Sequence, residues 1–324
     1  EPLQEVETSE DGHADAFHVK RCHVGQQRRH AVSFTSHPNF CLKKRELRHR
    51  ERMRLKDMVC VVTGAGSGIG LATAMLFAEN GAKAVVCVDI DEQAAKEVAS
   101  EIRETFETCD ARGVRADVSS ESDSKRVVDI CKERYGHLDV YYANAGVLGK
   151  QKDLQDATVR DFQRHLNVNL IGPFLAIKYA SEVMSRQDDG GSIICTASIA
   201  AIRADVTPLG YSCSKAGVVA LVRSAQDMLV TKNIRVNAVM PGGVMTAMSG
   251  EVAQRVAKDG MRVVGYDMNR FPPADPSEIA QVALFLASPE SSFVKGQTIV
   301  ADGGMSNSMG FTLKKMGQKK RSKL

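Results

Sequence analysis

No run of eighteen or more apolar residues occurs in the 324-residue chain, so no stretch reads as a membrane-spanning helix. The start also lacks the short basic region, apolar stretch and small-residue cleavage site of a secretory signal, and the chain is expected to stay inside the cell. Cysteine is present but unpatterned: residues 22, 41, 60, 87, 109, 131, 195 and 213 form no C-x-x-C pair and no His/Cys group at ligand spacing. They read as reduced thiols, mostly core filler, and no metal site is expected. Linkers rich in Pro, Gly or Ser are missing from 58–304, which is therefore read as one domain.

Acid is scarce next to base at both ends. Residues 20–56 hold twelve Lys/Arg against two Glu, and residues 305–324 hold six Lys/Arg and no acid, whereas 58–304 has 25 basic and 30 acidic residues. Basic arms of this kind can bind nucleic acid or anionic lipid. Neither interleaves aromatics with its charges as a stacking surface would, so solvated, disordered tails and no nucleic-acid partner are expected. Residues 1–57 carry six of the eight histidines and no sustained apolar period, and are read as a disordered extension or leader. Met53 stands just ahead of the first expected strand, which suggests that translation starts there and that 1–52 is upstream sequence or a processed leader. The basic tail 305–324 ends in Ser322-Lys323-Leu324, the form of the address that a peroxisomal import receptor reads. Peroxisomal residence is the expectation, with the cytoplasm as the alternative.

What is present is an alternation. "MVCVV" (58–62) is short, β-branched and wholly apolar, the pattern of a buried parallel strand. "TGAGSGIG" (63–70) follows, then the helical "LATAMLFAENGA" with Gly81 as a stop. Further strands are expected at 83–90, 113–118, 138–146, 191–198, 233–242 and 296–304, with helical stretches separating most of them. The fold class that follows is α/β: a Rossmann-type doubly wound parallel sheet with helices on both faces.

Ligands of such sheets bind at the carboxyl ends of the strands, where the glycines are. In Thr63-Gly64-x-x-x-Gly68-Ile69-Gly70 the glycines allow a tight turn, and bare backbone N–H groups can approach a pyrophosphate at a helix N-terminus. Asp89, at the end of the second strand, can accept the adenosine ribose hydroxyls and repel a 2′-phosphate, favouring NAD(H) over NADP(H). It could instead cap the next helix, a task for which Asp91 is an equal candidate. Finally, "YSCSK" sets a phenol and an ammonium, Tyr211 and Lys215, at the i,i+4 spacing that makes them neighbours on one helix face.

T-G-x-x-x-G-x-G, then "NAG", then Asn, Ser and Tyr-x-x-x-Lys in this order resemble the short-chain dehydrogenase/reductase superfamily in its single-domain form, over roughly residues 55–305. The resemblance implies that Tyr211 is the catalytic acid/base and Lys215 its partner, which also reaches the nicotinamide ribose. Ser198 would hold the substrate oxygen, and Asn169 in "LNVNLIG" would support a proton-relay water, with Asn167 its rival. The cofactor would lie on Gly64, Ser67, Gly68, Ile69 and Gly70, with Asp117 and Val118 at the adenine edge and Asn144, Ala145 and Gly146 beside the adenosine half. Pro241, Gly242, Val244 and Thr246 belong to the segment that covers the nicotinamide. A homotetramer is the family's common assembly.

The chemistry agrees with that assignment. Moving a hydride to a carbonyl carbon leaves an alkoxide to be protonated, and the reverse requires a base for the alcohol proton. A phenol at its ordinary pKa is a poor base at neutral pH, and drawing it there needs about 4 kcal/mol, part of which a nearby ammonium is expected to supply. Residues 247–275 occupy the place of a lid and substrate pocket, and Met245, Met248, Met261 and Tyr266 suggest an apolar wall. The expected reaction is NAD(H)-dependent interconversion of a secondary alcohol and a ketone, on a substrate that a peroxisomal setting would suit if lipid-derived. The alternatives are an NADP(H)-dependent 3-oxoacyl-type carbonyl reductase and a non-catalytic NAD(H)-binding regulator.

Overall fold

The computed structural model describes residues 53–203, 207–246 and 271–307. Strands β1 (Val59–Thr63), β2 (Ala84–Asp89), β3 (Asp110–Arg115), β4 (Val140–Ala143), β5 (Gly191–Thr196), β6 (Ile234–Pro241) and β7 (Thr298–Ala301) form one sheet in the order β3-β2-β1-β4-β5-β6-β7. Every pairing is parallel. The order reverses between β1 and β4, and there the carboxyl ends open a crevice.

Period-two alternation sorts the strand residues into two cores. Val59 and Val61 of β1 face one side with Val86, Tyr141, Ile193 and Val236, while Cys60 and Val62 face the other with Val85, Tyr142, Ile194 and Val239. The first layer is closed by α3 (Glu121–Tyr135), α5 (Gly172–Met184) and α6 (Leu209–Leu229), and the second by α1 (Gly68–Glu79), α2 (Glu92–Thr105) and α7 (Pro276–Ala287). Because β1 is covered on both faces, all five of its residues are buried, which explains its unbroken apolar run. α4 (Val159–Leu166) leads into α5 through one widened turn, Asn167–Ile171, in which the Gly172 N–H reaches back to the Asn167 carbonyl.

Three boundaries differ from expectation. β3 runs over 110–115 rather than 113–118, because on this edge strand polar residues alternate with buried ones and mask the apolar signal. Gly113 is inside it, where a Cβ would stand 2.5 Å from the Lys96 amide nitrogen of α2. The domain takes in residues 53–57 ahead of the expected start at 58: Leu55 is wholly buried, its N–H donates to the Asn80 carbonyl, and Arg54 pairs with Glu290. It also extends past 304, since Met305 is buried and the Ser306 N–H donates to Asp302 Oδ2 at 2.6 Å. The rest of both expected tails, the S-K-L terminus included, lies outside the described residues.

Candidate active site

The glycine turn between β1 and α1 is built so that side chains cannot enter it. Gly64 and Gly68 have φ of +66° and +54°, a region that favours glycine. A Cβ on Gly70 would lie 1.9 Å from the Gly64 carbonyl oxygen, and one on Gly64 would lie 2.9 Å from Ala145 Cα. Ser67 stands at the N-cap of α1 without a capping side-chain bond, and no acid occupies the first turn. An uncapped helix end above a glycine cradle suits a pyrophosphate, with Ile69 on the first turn behind it. Asp89 closes the turn from the β2 side: its Oδ2 accepts from the Gly66 N–H at 2.9 Å and its Oδ1 from the Asp91 N–H at 3.1 Å. Asp91, not Asp89, caps α2.

Asn144 is the clip between β1 and β4. Its Nδ2 donates to the Thr63 carbonyl at 3.0 Å, its Oδ1 accepts from the Thr196 hydroxyl at 3.1 Å, and the Asn144 and Ala145 N–H groups both donate to Thr63 Oγ1. On the far side of the crevice Asp117 is exposed and accepts from its own loop at Ser119, and Val118 packs against Gly172. Pro241 ends β6, the Gly242 N–H donates to the Ala301 carbonyl, and Val244 is buried. The Thr246 methyl lies over Gly68, 3.0 Å from where a Cβ there would be. Of the expected lid, 247–270 lies outside the described residues, together with Met248, Met261 and Tyr266; Met245 is more than half exposed.

The four residues expected to carry the chemistry converge. Tyr211 and Lys215 share a face of α6, with Nζ 5.7 Å from the phenol ring centroid. The Ser198 hydroxyl, just past β5, lies near enough to the Tyr211 phenol to lower its pKa, and it accepts from the Ala200 N–H. Asn169 is fully buried by the widened turn; its Nδ2 donates to the Val147 carbonyl at 2.9 Å and to Ser214 Oγ at 3.2 Å, and its Oδ1 accepts from the Val147 N–H at 2.8 Å. Its rival Asn167 accepts from Gln163 on the exposed face. Gly146 is held so near that a Cβ would stand 3.2 Å from Asn169 Oδ1 and 3.6 Å from Lys215 Nζ.

Burial pushes the Tyr211 pKa above its ordinary value, with Ser198 pulling the other way, and burial lowers Lys215 to about 8. The ammonium donates at 2.7 Å to the Thr196 carbonyl. Thr196, Ser214 and His165 are the site neighbours that sequence reasoning missed. Only Ser214, a small polar residue within "YSCSK", carried a signal.

Residues 64–306 match the family model described as Enoyl-(Acyl carrier protein) reductase. A borneol dehydrogenase of Lavandula x intermedia is 38% identical over 78% of this chain and 92% of its own length. The chain belongs to the short-chain dehydrogenase/reductase superfamily. A levodione reductase of Leifsonia aquatica, another member, is 32% identical over 78% of this chain and 96% of its own. The crystal structure of a levodione reductase superposes with a TM-score of 0.74 at 31% identity, covering 79% of this chain and all of that one. A short-chain type dehydrogenase/reductase from Mycobacterium marinum superposes at 0.71 with 30% identity, covering 79% of this chain and 98% of that one. As a short-chain dehydrogenase/reductase the protein is an oxidoreductase of CH–OH groups that uses a nicotinamide cofactor, whose bound ring accepts or donates the hydride. The glycine cradle fits that cofactor's pyrophosphate.

Proposed function

We propose that this enzyme is an NAD(H)-dependent dehydrogenase that interconverts an apolar cyclic secondary alcohol and its ketone. The observation that carries the reading is the convergence of the Tyr211 phenol, the Ser198 hydroxyl and the buried Lys215 ammonium beside the glycine cradle. Ser198 holds the substrate oxygen and stabilises charge that develops on it. Tyr211 takes the alcohol proton during oxidation and returns it during reduction. Lys215, anchored on the Thr196 carbonyl, faces the ring of Tyr211 and favours its ionised form. Asn169 holds the strap at Val147 in place beneath the proton path. The cyclic, apolar substrate class is supported by relatives named for borneol and levodione.

Asp89 beside Gly66 supports NAD(H), because a 2′-phosphate would meet a carboxylate there. One observation favours the NADP(H) reading: Arg115 ends β3 in register with Asp89 and is exposed at the same edge. NAD⁺ and NADP⁺ reduction by borneol, followed by nicotinamide absorbance with Asp89→Ala and Arg115→Ala beside the unaltered enzyme, decides between them. A preference for NADP⁺ that collapses in Arg115→Ala overturns the NAD(H) reading. Tight NADH binding with no turnover of any secondary alcohol would make the protein a cofactor-binding regulator instead.

The S-K-L terminus supports peroxisomal import, tested by whether removing residues 322–324 returns an N-terminally tagged chain to the cytosol. Exposed Val159, Phe174 and Phe293 support a homo-oligomer, which sedimentation measures.

A further inference from the structure

One buried histidine beside the phenol has no part in the scheme above. His165, on α4, is only 5% exposed. Its Nε2 lies 2.7 Å from the Leu148 carbonyl, which requires an N–H there and leaves the lone pair of the neutral ring on Nδ1. Among the described residues, that Nδ1 is buried with no hydrogen-bond partner. The ring stands edge-on to Tyr211, with centroids 6.5 Å apart and planes at 85°. Glycines make the room: a Cβ on Gly149 would come within 2.7 Å of Nε2, and one on Gly210, the residue before Tyr211, within 2.9 Å of Nδ1.

His165 and Asn169 are four residues apart on one helix face and take consecutive carbonyls, Leu148 and Val147. The strap that follows the Asn144 clip is thus held at two successive residues. A buried acceptor without a partner destabilises the fold, a cost that an apolar residue of similar size would avoid. Such a cost beside the phenol points to a task other than stability.

We propose that His165 is a positioning residue for Tyr211, tying the phenol ring to the Leu148 carbonyl so that strap and acid/base are held as one body. The proposal rests on the reading of Tyr211 as the acid/base.

Two variants separate the two contacts. His165→Gln keeps an N–H donor for Leu148 and removes the ring, whereas His165→Phe keeps the ring and removes the donor. The Tyr211 titration is followed by NMR of ring-carbon-labelled tyrosine, its signal identified by loss in Tyr211→Phe, and amide exchange is followed at 148 and 149. In His165→Gln the Tyr211 midpoint should fall by about 0.5 unit or more, since burial is what holds it up. In His165→Phe the midpoint should hold while exchange at 148 and 149 quickens about tenfold. Both should lower kcat about tenfold with KM within about threefold. An unmoved midpoint in the first variant together with unchanged exchange in the second would reduce His165 to packing, whatever happens to Tm. The NMR readouts need no substrate: if Tyr211→Phe retains full turnover, the acid/base reading fails while the tie between His165 and Tyr211 is still measured.

Discussion

The Lys215 ammonium donates to the Thr196 carbonyl at 2.7 Å, and the hydroxyl of the same threonine donates to Asn144 Oδ1 at 3.1 Å. One residue at the end of β5 therefore joins α6 to the clip that holds β4 against the glycine turn. The proton-handling and cofactor-holding halves of the crevice share a rigid link.

Tyr211→Phe removes the proton carrier and leaves the ring in place. Turnover should fall by about 10²–10⁴, the range of a general acid/base contribution, with NADH affinity measured by fluorescence within about threefold of the unaltered enzyme.

Alcohol oxidation should accelerate as pH rises from neutral into the alkaline range, and carbonyl reduction should slow over the same range. The sign follows from burial, which holds the Tyr211 pKa up: the ionised phenol that oxidation needs is the minor form at neutral pH and grows with pH, while the protonated form that reduction needs declines. Initial rates in both directions across that range check it.

Lys215→Met should lose activity yet gain stability. Burial lowers the folded-state pKa of Lys215 to about 8, below its unfolded value, so the cost of burying the charge is fully present below about pH 8 and vanishes as pH rises past the unfolded value. The cost is about 3 kcal/mol, partly offset by the bond to Thr196, and a net gain of about 1 kcal/mol is expected in urea unfolding at pH 7. The advantage should shrink as unfolding is repeated at higher pH.

Gly70→Ala places a methyl 1.9 Å from the Gly64 carbonyl and forces the cradle apart. NADH binding should fall at least about tenfold and stability by about 1–3 kcal/mol, measured by titration and by urea unfolding.

Arg235 has no place in the chemistry. Its guanidinium is buried at the carboxyl end of α7, donating to Ser291 Oγ at 2.7 Å and to the Ala287 and Ser288 carbonyls, and burial lowers its pKa to about 10. Arg235→Ala should cost about 2–4 kcal/mol by leaving those acceptors unpaired, with kcat per folded molecule unchanged.

Much of the site was legible because chemistry of this kind constrains local sequence. The glycine turn needs residues without a Cβ, and Tyr211 and Lys215 need helical spacing, so both leave marks that a reader of the chain can find. Asp89 was legible as an acid at a strand end, but its freedom from helix capping depended on Asp91 taking that task. Asn169 and Asn167 could not be separated by composition. The widened turn after α4 buries Asn169 and leaves Asn167 only partly buried. β3 was misplaced because half of an edge strand faces water.

The sequence by itself determined the alternation of strand and helix, the cradle and the reactive pair, since each depends on residues close together in the chain. That Thr196 anchors Lys215, that His165 abuts Tyr211 and that burial holds the phenol up became visible only in three dimensions. Those outcomes depend on which surfaces lose water when distant segments meet, and spacing along the chain does not encode that.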